Sequence, residues 1–147
     1  MFRIIIAFAF VVATGGAIAQ GTAQDIAQVK LLRGDVRITR GDLEQPAKAG
    51  DWLRQSDTIV TGAKGRVGIT FIDNTRMSAG PNSSLVLSTF KFDPTTHEGD
   101  FVTKLNKGTL SVSSGQLAKY SREQMKIHTP SSVLGVNGTR FLVKVED

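Results

Sequence analysis

The chain has 147 residues, 40% apolar and 21% charged, a globular balance that argues against disorder. Zero Cys excludes a disulfide framework, thiolate zinc sites, iron–sulfur clusters and a cysteine nucleophile, and two His leave an all-His metal site short of ligands. The net charge of +5 comes from Lys and Arg scattered singly between acids. Phosphate binding needs a basic run or stripe, so no nucleic-acid partner is expected.

The first residues read as an export signal. Met1-Phe-Arg3 is a short positive start, Ile4 to Ala13 is an unbroken apolar run, and Ala17-Ile18-Ala19 is a small-x-small cleavage pattern. Residues 1–19 are therefore expected to be a helical signal peptide, cut between Ala19 and Gln20. Ile4 to Ala19 is sixteen residues, fewer than the roughly 20 of a spanning helix. Membrane contact is expected only through this segment, and only if it stays uncleaved. No Cys follows the apolar run, which excludes a lipoprotein anchor. A Cys-free exported domain points to the periplasm of a Gram-negative bacterium.

Residues 20–27 are small and polar, a flexible lead-in to one domain over 28–147. Short strand-like runs then alternate with turn signals about every ten residues. Val29 to Leu32 and Val36 to Thr39 flank Arg33-Gly34-Asp35, which reads as a hairpin. Trp52-Leu53 and Thr58 to Thr61 follow. Arg66 to Ile72 sets Val67, Ile69 and Phe71 against Arg66, Gly68 and Thr70, the period of two of a half-buried strand. Asp73-Asn74 turns the chain into Arg76-Met77-Ser78.

Gly80-Pro-Asn-Ser83 breaks the pattern before Ser84 to Phe92, where Leu85 and Leu87 alternate against Val86, Phe90 and Phe92. Asp93 to Asp100 is a polar loop. Phe101 to Leu105 and Thr109 to Ser113 flank Asn106-Lys-Gly108, a second hairpin signal. Gln116 to Gln124 alone is helix-compatible, with Ser121 and Gln124 spaced as a capping box and Pro130 close behind. Lys126 to Thr129 and Gly138 to Val145 complete the strands. The absence of any helical pattern of three turns after residue 19 removes doubly wound folds and bundles. The fold class is all-β, a β-sandwich or a short β-solenoid.

Thr129-Pro130-Ser-Ser-Val133-Leu-Gly135-Val136-Asn137-Gly138-Thr139-Arg-Phe141-Leu-Val143 resembles the most characteristic motif of the FecR domain family. Upstream, Gly50-Asp51-Trp-Leu53, Asp57-Thr-Ile59-Val-Thr61-Gly62, Phe71-Ile-Asp73-Asn74-Thr75, Gly80-Pro-Asn-Ser83 and Phe92-Asp93-Pro94 occur in the family's order. The similarity covers about residues 28–145, and Asn137 stands where the family usually carries Arg.

The resemblance implies an exported, non-enzymatic sensing or interaction module that binds an envelope protein or ligand, with no cofactor. The alternative is a structural envelope component that binds cell-wall glycan. The best-known relatives are membrane-spanning anti-sigma regulators with a cytoplasmic helical domain, and only two residues precede Arg3 here. A stand-alone form of the module is the expectation. Its structural keystone is expected at Thr129, Pro130, Gly135, Gly138, Thr139 and Phe141, with Gly135 and Gly138 in conformations closed to other residues. Phe141, Val143 and Val145 should form one inward strand face.

Competing chemistry is weak. Ser131, Ser132, His128 and Asp73 make a hydrolase set only on paper, since no G-x-S-x-G elbow accompanies them. His97 with Asp93, Glu98 and Asp100 lacks the carboxylate spacing of a calcium loop. Trp52, Phe90, Phe92, Phe101 and Phe141 fall in or beside alternating strands, where core packing is the default.

Overall fold

The computed structural model describes residues 23–120, 124–136 and 140–146. Twelve strands and one five-residue helix form a single sheet curled over one core. One half runs in the order β4 (Trp52–Arg54), β1 (Asp25–Arg33), β6 (Arg66–Phe71), β7 (Arg76–Ala79), the C-terminal part of β9 (Gly99–Ser113) and β12 (Arg140–Val145). The other runs β3 (Leu43–Pro46), β2 (Val36–Arg40), β5 (Thr58–Thr61), β8 (Ser84–Phe92), the N-terminal part of β9, β10 (Met125–His128) and β11 (Val133–Gly135). All pairings are antiparallel except β9 with β10. The all-β expectation holds, and the curled sheet gives it the character of a sandwich.

The halves face each other through ring contacts. Phe71 of β6 lies 5.3 Å from Phe90 of β8 and 4.6 Å from Phe101 of β9, centroid to centroid. Around them pack Ile26, Leu53, Ile59, Met77, Leu105 and Met125, all buried. Stacked and tilted rings at these spacings add to the burial of their apolar area.

Several sequence expectations change. Arg33-Gly34-Asp35 is no hairpin turn, because β1 pairs with β4 and β6 while β2 pairs with β3 and β5. The turn carries the chain from one half to the other. Gly34 has φ +67°, and a Cβ there would collide with the carbonyl oxygen of Lys64. Asn106-Lys-Gly108 is not a turn either. Strand β9 runs through it for fifteen residues, and Gly108 (φ +94°) is where it passes between halves, with Ser83 so close that a Cβ would collide. A composition rich in turn residues is equally that of a strand bent at a glycine.

In β8, Phe90 faces inward with Leu85 and Leu87, not against them. A register shift between Val86 and Thr89 inserts a bulge, which flips the later alternation. At the N-terminus, β1 starts at Asp25 with Ile26 and Ala27 buried, so the lead-in gives way to strand sooner than expected. Strands β3 and β11 lie where no strand was expected. The helix α1 (Gln116–Tyr120) falls within the helix-compatible stretch, and Ser121 of the capping box lies outside the described residues.

Candidate functional site

One free end of each half borders the C-terminal motif, the other two being β4 and β3. Strand β12 pairs with β9 along one side only, and β11 pairs only with β10. Both therefore present an unpaired strand edge among the described residues, the feature that accepts another chain's strand. Val133 is 61% exposed and Leu142 is 68% exposed, with Leu134 also exposed. Between the strands lies a cleft of about 370 Å³ lined by Leu134, Gly135, Val136, Arg140, Phe141 and Leu142 among others. Its chemistry is apolar with a cationic lip, since Arg140 and Lys144 are exposed and Glu146 contacts Lys144 at 3.0 Å.

Local sequence explains this shape. Thr129 closes the β10–β11 turn: its backbone N–H donates to the Ser132 carbonyl at 2.8 Å, and its hydroxyl accepts from the Ser132 N–H at 3.1 Å. Pro130 sits exposed in that turn, just after β10 ends at His128. Val136 is buried, and its N–H donates to the Met125 carbonyl at 3.0 Å, fixing the root of the hairpin. Strand β12 then alternates as expected, with Val143 buried and Phe141 and Val145 half-buried against the core. Gly135 departs from expectation. It lies in β11 without a positive φ and with open space around a built Cβ, so neither conformation nor crowding requires glycine there. Asn137, Gly138, Thr139, Ala19 and Gln20 lie outside the described residues.

A family model described as FecR protein matches residues 57–147, well over half of the chain. The chain belongs to the FecR family. No curated protein and no solved structure shows a match. FecR domains are in general regulatory and sensing modules rather than catalysts.

Within the FecR match, the upstream motif residues hold the fold. Asp57 is 1% exposed and accepts from Arg40 Nε at 2.9 Å, Arg40 Nη2 at 2.7 Å and the Arg54 N–H at 2.8 Å. The hydrogen bond it donates to Asp57 raises the pKa of Arg40 above its ordinary value, against a smaller opposing effect of burial. Thr61 donates to the Gly80 carbonyl at 2.6 Å and accepts from the Ser83 N–H at 2.9 Å, tying β5 to the turn before β8. Asp73 is fully buried, accepting from the Thr75 N–H at 3.0 Å, the Thr75 hydroxyl at 2.8 Å and the Leu117 N–H at 3.2 Å. That carboxylate anchors the start of α1.

The imagined chemical sets do not assemble. Asp73 is committed to Thr75 and α1, while Ser131 and Ser132 are exposed in the β10–β11 turn. Asp93 turns its own loop, accepting from the Thr95 N–H at 2.8 Å. Among the described residues no three His, Cys, Asp or Glu stand together as metal ligands. Phe90 and Phe101 are core residues, Phe141 borders the cleft, and Trp52 is half exposed on β4. Sequence reasoning missed Leu142 as a surface feature, because apolar residues in a strand pattern read as core by default, and missed Val133 and Leu134 because no strand was expected there.

Proposed function

We propose that this FecR-family chain is a non-enzymatic, exported sensing module that binds an envelope protein at the β11–β12 end, in the periplasm of a Gram-negative bacterium. The observation that carries the reading is the coincidence of two unpaired strand edges with Val133, Leu134 and Leu142 around one cleft. An extended partner segment adds main-chain hydrogen bonds to β12 and seats alternate side chains in the cleft, the recognition mode of strand addition. Exposed apolar groups rimmed by charge are the usual mark of such a surface. The signal-like residues 1–19 support export.

Photo-crosslinking in intact cells tests it, with the reactive group at Leu142 or Val133 and a control at Leu43. Leu43 is equally exposed but lies on β3, a different edge. One envelope protein should be captured from the first two positions and not from the third. Equal capture from all three overturns the assignment of this end. Intact mass of the exported fraction checks the cut after Ala19, and a species retaining Met1 argues for an anchor.

A further inference from the structure

The fold gathers basic residues that are isolated in sequence. On the outer face of the half containing β6, β7 and β12, pairing aligns Thr70, Arg76, Ser113 and Arg140 in one row across the strands. A second row runs Leu31, Gly68, Ser78, Ser111 and Leu142. Beyond it stand Arg33 and Arg66, directly opposite each other, and Lys144. At about 4.8 Å per strand, Arg76 and Arg140 are roughly 10 Å apart, and the outer rows lie roughly 13 Å from each other along the strands.

Four of these arginines, at 33, 66, 76 and 140, have no acidic partner within 4.0 Å among the described residues. Of the acids at the border, Asp25 pairs with Arg54 and Asp35 with Arg37, both off the face, while Glu146 pairs with Lys144 of the outer row and offsets that one cation. Like charges directly opposite in a sheet destabilise it, so the Arg33–Arg66 pair costs the fold something that an anionic ligand would return.

We propose that this face, which adjoins the protein-binding end proposed above and shares Arg140 and Leu142 with it, binds an acidic polysaccharide lying across the strands. Arginine forks on both sides suit carboxylate or sulfate groups, which they contact in pairs. Between them the exposed hydroxyls of Ser78 and Ser111 over the floor at Gly68 offer hydrogen bonds to sugar hydroxyls. Single-stranded nucleic acid wants successive aromatic platforms, and the face has one exposed aromatic, Trp52 at its β4 border. A peptide adding to the sheet would use an edge, not a face.

The test is affinity electrophoresis of the full chain against polygalacturonate, with neutral dextran, polyglutamate and a DNA oligonucleotide as comparisons. Polygalacturonate should bind and dextran should not, with affinity falling as salt screens the contact. Exposed charge contacts are worth about threefold each, so Arg76→Gln with Arg140→Gln should weaken binding about tenfold. Lys104→Gln with Lys126→Gln removes equal charge from the other half and should leave binding within about twofold. Arg66→Gln should weaken binding about threefold yet raise the melting temperature, because it relieves the pair with Arg33. No binding, equal loss from both double variants, or tighter binding of polyglutamate or DNA at matched charge overturns the proposal. The strand-addition reading is judged separately, by cross-links from Val133, which lies on β11 and off this face.

Discussion

Removing the carboxylate of Asp57 should cost less once the Arg40 guanidinium that binds it is gone. Arg40→Met leaves Asp57, 1% exposed, with a single donor, the Arg54 N–H, in place of three. Breaking a fully buried ion pair costs about 3–5 kcal/mol, mostly because the remaining charge is stranded. The Arg40 side chain is 36% exposed, so water reaches the vacancy and the expected loss is about 2–3 kcal/mol. Domains of this size hold about 5–15 kcal/mol, so the urea midpoint should fall by about 1–2 M at an ordinary slope. Asp57→Asn alone should cost about 2 kcal/mol, since its amide N–H groups would face the Arg40 donors. In the Arg40→Met background, however, Asp57→Asn removes the stranded charge and should cost less than about 1 kcal/mol. Urea unfolding of the four proteins reads the cycle. Additive losses would refute the electrostatic argument and leave packing as the cause.

Three further outcomes follow from the same packing. Thr103 Oγ1 is buried without a hydrogen-bond partner, so Thr103→Val, nearly equal in shape, should stabilise the chain by about 1 kcal/mol in chemical denaturation, and a loss would mean that the hydroxyl is satisfied after all. Thr75→Val removes the hydroxyl that donates to Asp73 and accepts from the Gly115 N–H at 3.1 Å; it should cost about 1–3 kcal/mol and increase hydrogen exchange at Gly115 and Leu117, whereas unchanged exchange would detach α1 from this network. Phe141→Ala should cost about 2 kcal/mol by thermal denaturation, roughly half the value of a fully buried ring, because one side of Phe141 borders the cleft; a loss near 4 kcal/mol would place the ring inside the core.

How much was legible depended on whether the signal was local. The inward set Val67, Ile69 and Phe71 and the turn at Asn74 (φ +68°) followed from period and composition alone. Pairing partners did not, because a glycine bend inside β9 and a crossover at Gly34 carry the same residues as hairpin turns. The bulge in β8 escaped for the same reason, since one inserted residue leaves no compositional trace. At the candidate site the motif residues were legible and their exposure was not. Leu142 alternates with Phe141 and Val143 in any strand reading, but only the missing neighbour of β12 makes it a surface. The arginine face is a further case, assembled by register from residues many positions apart.

The division of labour among polar residues bears on function. A general base needs a lone pair turned toward a reacting group. Each buried carboxylate of the motif instead accepts three donors: Asp57 from Arg40 and Arg54, Asp73 from Thr75 and Leu117. Their hydrogen-bonding capacity is spent on joining distant segments, β2 to the start of β5 in one case and the β6–β7 turn to α1 in the other. Thr61 and Ser83 do the same beside Gly108, where β9 changes halves. Such ties hold the two halves in one relation, and rigidity of that kind keeps strand edges and surface rows in register while unpartnered. The described fold leaves its boundary open to other molecules: the edges of β3 and β4, the edges of β11 and β12 with their apolar cleft, and the arginine-bearing face beside that cleft. Under the proposed function, recognition by a preorganised edge and face would account for both the buried polar ties and the exposure of Leu134 and Leu142.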